Sequence, residues 1–381
     1  MTEAPRLLFH VQHLLGIGHL RRAALIADAL ARAGFAVTVA QGGVASDLFD
    51  FGAAQAVQLP PLRGIDDRFG LGDAAGRPLD EAGKAARRDA LLALYHRLRP
   101  DVVLLESFPF GRRQLRFELL PLLERIEATR PRPKVAVSIR DILQGRKPER
   151  ERETVAVVRA HVDRVLVHAD PALVTLGESF GPAAAIAGRV RYTGYVAPPR
   201  PQPRERTSVV VSAGGGAVGG ALLRDALAAR ARTRLAGRPW ILIAGPNLPE
   251  GDLATLSAAA GDGVRILRSV PDLAAVLAGA IVSVSQAGYN TLMDIAVSET
   301  PAVLVPFAGA AETEQPMRAA RLDGFPVAVV TEAALNPAAL ATAIDHVSTL
   351  SGRWPSIALE GAATSARLLH ALVDGKDGGD V

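Results

Sequence analysis

An imidazole and a carboxylate stand where alternating strands and helices would expose them. His19 follows Gly16-Ile17-Gly18 at a strand-to-helix turn, and Glu106 closes the apolar stretch 101–106. A histidine with an ordinary pKa of about 6.5 takes a proton from a hydroxyl at neutral pH. Glu106 is either an alternative base or the group that orients His19. Two other stretches suit phosphate. The run Val211-Ser212-Ala213 leads into Gly214-Gly215-Gly216, whose amides a diphosphate can approach with no Cβ in the way. Ser285-Gln286-Ala287-Gly288 turns between an apolar strand at 281–284 and a helix opening at Tyr289-Asn290-Thr291. There free N–H groups and the positive end of the helix dipole face outward. No Lys-Ser/Thr pair follows the glycines, so triphosphate hydrolysis is not indicated. No Asp-x-Asp is present, and His10 and His13 lie on opposite sides of a strand end. We therefore expect no metal and no cofactor, with helix termini and glycine amides stabilising a departing diphosphate.

These residues need rigid elements behind them, and the apolar pattern supplies strand–helix repeats. Strands are expected at 7–11, 35–40, 101–106, 134–139, 164–168 and 190–193, with helices at 20–33, 81–98, 114–130 and 155–161. Residues 59–80 read as a long Gly/Pro/Asp-rich loop. The stretch 197–206, Ala-Pro-Pro-Arg-Pro-Gln-Pro-Arg-Glu-Arg, holds four prolines and reads as an extended linker. The pattern then restarts, with strands at 208–212, 240–244, 264–267, 281–284, 302–307 and 327–330. The expected fold is α/β, two Rossmann-like domains facing across a cleft: 1–196, linker 197–206, and 207–375 with a closing helix at 360–373. The first turn resembles a dinucleotide fingerprint only in part. Arg21 takes the place of the third glycine, and Gln41 replaces the acidic ribose ligand, which disfavours a nicotinamide site.

Composition narrows the class further. The chain has 381 residues, no cysteine and a formal charge of +4. Disulfides, thiol nucleophiles and cysteine-bound metal are excluded. Its longest apolar runs fall short of the ~20 residues of a membrane-spanning helix, so a cytoplasmic protein is expected. No dense basic tract interleaved with aromatics suggests a nucleic-acid partner. Phe108-Pro109-Phe110-Gly111-Arg112-Arg113 mixes aromatics with cations. It is a candidate seat for an acceptor, or a peripheral contact with an anionic inner-membrane face.

Taken in order, the glycine turn with His19, the glycine loop after the linker and Ser285-Gln286-Ala287-Gly288 … Thr291 … Asp294 … Pro301 … Val305-Pro306-Phe307 … Glu314-Gln315 resemble the GT-B glycosyltransferases. The resemblance is to the MurG-type peptidoglycan N-acetylglucosaminyltransferase family and related predicted glycosyltransferases, and it is carried over 208–349. It implies an inverting, metal-independent transfer of a hexosyl group from a nucleoside-diphosphate sugar, a UDP-sugar first, to a hydroxyl of a small or lipid-linked acceptor. It implies that Gly214, Gly215, Gly216, Ser285, Gln286, Ala287, Gly288, Asn290 and Thr291 hold the donor diphosphate. Asp294 stands where relatives place a ribose-binding glutamate, Glu314 and Gln315 would meet sugar hydroxyls, and the backbone near Val270 would read the base. Gly16, Gly18, Phe108 and Arg112 fall on the acceptor side. Rival readings are a nucleotide-sugar hydrolase or 2-epimerase on the same fold, and a non-catalytic sugar-nucleotide binding protein.

Overall fold

The computed structural model describes residues 3–14, 18–44, 50–65, 70–215, 219–309, 312–350 and 354–376. They form two compact units, Met1–Val196 with Ala358–Val381, and Ala197–Ile357.

In the first unit the apolar runs become a seven-stranded parallel sheet of β1 (Arg6–Val11), β2 (Ala36–Gln41), β3 (Gln55–Gln58), β6 (Val102–Glu106), β7 (Lys134–Arg140), β8 (Arg164–His168) and β9 (Val190–Tyr192). A separate antiparallel ladder pairs β4 (Arg63–Gly64) with β5 (Leu71–Gly72). Every residue of β6 is buried, including Glu106. Strands covered on both faces carry such unbroken apolar runs. Helices α1 (Gly18–Arg32), α2 (Glu81–Leu98), α3 (Arg116–Ala128) and α4 (Pro148–His161) supply part of that cover. α1 turns Leu20, Ala23, Ile26, Ala27 and Leu30 into the core. The Asp80 carboxylate caps α2 by accepting from the Gly83 amide at 2.7 Å. The sheet order is β3-β2-β1-β6-β7-β8-β9, so the winding reverses between β1 and β6. Loops leaving those two strands diverge and leave a crevice at their carboxyl ends.

The second unit repeats the plan. Strands β10 (Ser208–Ser212), β11 (Trp240–Ile243), β12 (Val264–Leu267), β13 (Ala280–Ser285), β14 (Ala302–Leu304) and β15 (Val327–Val329) form a parallel sheet in the order β12-β11-β10-β13-β14-β15. Its helices are α5 (Gly220–Ala229), α6 (Glu250–Ala259), α7 (Leu273–Leu277), α8 (Tyr289–Ser298), α9 (Glu314–Ala319) and α10 (Pro337–Val347). Here the winding reverses between β10 and β13, in a register that sets Ser212 beside Ser285. Residues 197–207 hold neither helix nor strand. The segment is tied to the end of α8: Arg200 donates to the Glu299 carboxylate at 2.7 Å, and Arg206 donates to the Ser298 and Glu299 carbonyls.

The structure corrects the sequence reading in four places. The closing helix α11 (Gly361–Val373) belongs to the first unit, not the second. Its Leu368, Leu369 and Leu372 join the core beside α1, and the His370 ring stacks 4.1 Å from that of Phe35. The returning chain is stitched to the departing one, with Tyr195 donating to Ala358 O and Gly361 donating to Tyr195 O. A Cβ at Gly361 would come within 2.5 Å of Gly194 O, so only glycine fits that crossing. β3 was not expected, because Gln-Ala-Val-Gln is short and polar; the free edge of β2 recruits it. The expected loop 59–80 contains the β4–β5 ladder. Finally, Phe108 and Phe110 are buried, Phe110 packing edge-on against Phe180 at 5.2 Å, and neither offers an exposed aromatic face.

Candidate functional site

His19 lies in the first turn of α1, which starts after the loop leaving β1, and Glu106 is the last residue of the adjacent β6. The reversal point of the sheet therefore brings together two residues 87 positions apart, with His19 Nδ1 2.7 Å from Glu106 Oε1. A bare nitrogen would face a carboxylate lone pair at that distance, so Nδ1 carries the hydrogen and donates it. Nε2 is left as the acceptor, the arrangement a general base needs. Arg22 donates to the same carboxylate oxygen at 2.8 Å and Ser107 Oγ at 2.7 Å, while Arg112 Nε lies 3.8 Å from Oε2. Burial alone would raise the Glu106 carboxyl. The hydrogen bond from His19 and the guanidinium groups of Arg112 and Arg22 outweigh it and hold the group ionised, well below the usual carboxylate range. Burial pushes the His19 imidazole down to about 4; Glu106 works against the shift, and Arg112 and Arg22 add to it. The ring is thus neutral at pH 7, and 23% of its side-chain surface stays open to a substrate.

A second buried imidazole plays a different part. His168, at the end of β8, lies 2.7 Å from Ser138 Oγ through Nε2 and 2.8 Å from Thr193 Oγ1 through Nδ1. Thr193 donates its own hydrogen to Gly194 O, so Nδ1–H donates to Thr193 and Nε2 accepts from Ser138. Burial and the field of Arg22 lower its pKa well below 6.5, Glu106 opposing. With both nitrogens occupied it braces β7 and β8. A third polar group, Arg87, is fully buried: it donates to Glu118 at 2.8 Å, Gln12 Oε1 at 2.8 Å, Gly42 O at 2.9 Å and Pro60 O. Those acceptors lie on the loops after β1, β2 and β3 and on α3, so one side chain fixes the loops flanking the site.

Sequence reading missed Arg22 and Ser107. The signal for Arg22 is its spacing from His19, since residues three apart share a helix face. Ser107 adopts φ +66, a left-handed backbone that turns its hydroxyl back onto Glu106. Of the acceptor-side residues, Arg112 joins this site and Gly18 opens α1. Phe108 is core, and Gly16 lies outside the described residues.

In the second unit Gly214 and Gly215 follow β10 and Gln286–Gly288 follow β13, again at the reversal point. Gly214 adopts φ +71, and a Cβ there would lie 3.6 Å from Gln286 Oε1, so the two turns touch. Gly215 O accepts from Asn247 Nδ2 at 2.6 Å, and Gly216 lies outside the described residues. Gly288 is the N-cap of α8 and provides no side-chain cap. Gln286, Gly288, Asn290 and Thr291 are half-buried around that opening. Arg318 braces it from below: it donates to Ala287 O at 2.9 Å and packs over the Tyr289 ring. Ala287 and the Ser285 hydroxyl are sealed beneath the turn. Asp294 is 0% exposed in the middle of α8. Glu314 is buried in the first turn of α9, and Gln315 Oε1 accepts from the Phe307 amide at 3.1 Å, leaving the carboxamide donors. Val270 is half-buried in the loop between β12 and α7.

Residues 215–353 match the family described as Glycosyltransferase family 28 C-terminal domain. No curated protein is matched by the sequence. Among solved structures, the chain is similar to the calicheamicin glycosyltransferase CalG4, with 15% identity, 99% of this chain and 96% of that one covered, and a TM-score of 0.62. It is similar to the glycosyltransferase VinC, solved in complex with dTDP, at 15% identity over 97% and 95% of the chains and a TM-score of 0.61. MurG of Acinetobacter baumannii superposes at a TM-score of 0.59, with 15% identity over 97% and 98%. Identities this low speak for the fold, which is the GT-B architecture of two Rossmann-like domains. Fold and matched domain together define the class, the GT-B glycosyltransferases. Within it, residues 215–353 match the family 28 C-terminal domain, which supports glycosyl transfer as the reaction.

Proposed function

We propose that the protein moves a hexosyl group from a nucleoside-diphosphate sugar to an acceptor hydroxyl, with inversion and without a metal. The observation that carries this reading is the 2.7 Å His19–Glu106 pair with Nε2 left as acceptor. His19 takes the acceptor's proton as its oxygen attacks the anomeric carbon. The bond to the diphosphate breaks on the opposite face, and one in-line displacement inverts the centre. Negative charge then collects on the leaving diphosphate. The amides of Gly214 and Gly215 and the N-terminal end of α8 would meet it there. Glu106 does not leave its ion pairs; it orients the imidazole and stabilises the imidazolium that forms.

One neighbour on this fold, VinC, is bound to dTDP, so thymidine stands beside uridine as a candidate base. Calorimetric titration with UDP, dTDP and GDP, followed by their sugars, tests the donor. Binding of one diphosphate in the micromolar range is expected. Well-folded protein that binds none of them would refute the transferase reading. With a donor in hand, His19→Ala should lower kcat by about 10²- to 10⁴-fold with donor affinity kept. Unchanged activity after EDTA is the expected result for the metal.

A further inference from the structure

His19 and Arg22 stand three residues apart in the first turns of α1, so their side chains leave the helix on one face. Both reach one oxygen. Arg22 Nη2 lies 2.8 Å from Glu106 Oε1 and 3.3 Å from His19 Nδ1. His19 Nδ1 and Ser107 Oγ each lie 2.7 Å from the same Oε1, whereas Oε2 accepts no hydrogen bond among the described residues. Further along that face come Ile26 and Leu30, both in the core, and Arg22 itself is 3% exposed. An aliphatic side chain would fill the position without desolvating a charge, and such exchanges are often neutral or stabilising. Packing alone therefore does not account for a guanidinium there.

Two arrangements fit a 2.7 Å contact between an imidazole nitrogen and a carboxyl oxygen. In one, Nδ1–H donates to a carboxylate and Nε2 is bare. In the other, a carboxylic acid donates to a bare Nδ1; the ring hydrogen then sits on Nε2, and no base faces the acceptor. Arg22 decides between them. A guanidinium has only donors and keeps its proton at any working pH, so its N–H already points at Oε1 and its charge favours the ionised carboxyl. The same charge, 3.3 Å from Nδ1, opposes imidazolium formation in the resting site. Resting on the transferase reading, we infer that Arg22 is a positioning residue for the reaction: by holding Glu106 ionised through Oε1, it keeps the His19 hydrogen on Nδ1 and leaves Nε2 bare for the acceptor's proton. Glu106 from β6 and Arg112 from the turn after it are the other charged groups that act on His19. His168 on β8 feels Arg22 and Glu106 too, and burial keeps it neutral. Without Arg22, the attraction of Glu106 for a proton on His19 is opposed by one cation fewer, and the pKa of the ring rises.

The imidazole can be read directly, with no substrate present. Histidine nitrogens carrying the heavy isotope are followed by long-range proton–nitrogen NMR as the pH is lowered from about 8 to 4, with His19→Gln assigning the signal. Wild type should show the Nδ1–H form until the ring protonates near the lower end. Arg22→Met should gain the Nε2–H form and titrate at least about one pH unit higher than wild type. Arg22→Lys restores a charge and should return both readouts most of the way. The wild-type tautomer and titration in Arg22→Met, with a lower melting temperature as the only change, would make Arg22 a purely structural residue and overturn the inference. Should Arg22→Met not fold, Arg22→Gln removes the charge while keeping an amide donor, and the same two readouts decide. In turnover, Arg22→Met should lower kcat about 10²-fold with the donor KM little changed. Failure of UDP to bind would refute the transferase reading alone. The tautomer shift in Arg22→Met would still assign to Arg22 the control of the His19–Glu106 pair.

Discussion

Glu106 carries two duties on one carboxylate: it fixes the tautomer of His19 and it anchors the buried Arg22. Glu106→Gln keeps the shape but removes the charge, and its amide can donate to Nδ1 and move the imidazole hydrogen to Nε2. A base so reversed should lower kcat about 10²- to 10⁴-fold with little change in donor affinity. Wild-type activity in Glu106→Gln would show that the carboxylate is not the orienting group. The pH profile follows from the sign of the His19 shift. The neutral imidazole is the active form, and its pKa lies below the usual 6.5, near 4. Activity should therefore persist as pH falls through 6.5 and decline only on approach to the lowered value. An acid limb of kcat/KM centred at or above 6.5 would contradict this environment. Sequence could nominate His19 and Glu106 separately. It left open which is the base, because their distance depends on which strands are neighbours.

At the scale of elements, the loops around the site are held by a buried side chain rather than by their own turns. Arg87 reaches from α2 to Glu118 on α3 and to the loops after β1, β2 and β3. Arg87→Met would leave the Glu118 carboxylate buried beside His10 without its main counter-charge. Breaking one side of such a pair costs about 3–5 kcal/mol, which urea unfolding would register. A loss under about 1 kcal/mol would mean that the hub is not a structural requirement. The span of α2, 81–98, was legible in full, since Asp80 caps its start and Pro100 follows its end. β3 was not, because its four residues become a strand only through the exposed edge of β2. Phe108 and Arg112 were grouped by sequence proximity, but the turn after β6 sends one to the core and the other to the site.

For the whole molecule, the return of the chain after residue 357 is the main correction. α11 completes the first unit, its Leu369 fully buried beside α1. Leu369→Ala should destabilise that unit by about 2–5 kcal/mol. Hydrogen exchange should rise in α1 and β1 while the strands of the second unit keep their protection. Faster exchange confined to the second unit would place the helix wrongly. The amphipathic pattern of residues 361–373 fixed that a helix forms, but many apolar faces could receive it. Its partner was decided by the crossing at Gly194 and Gly361, a contact between residues far apart in the chain. The same division holds throughout. Apolar period, glycine turns and the proline stretch specify elements and their order, because those signals act between near neighbours. Strand order and the closure of His19 on Glu106 come only with the packed sheet. There burial removes solvent screening and lets distant charges set one another's protonation.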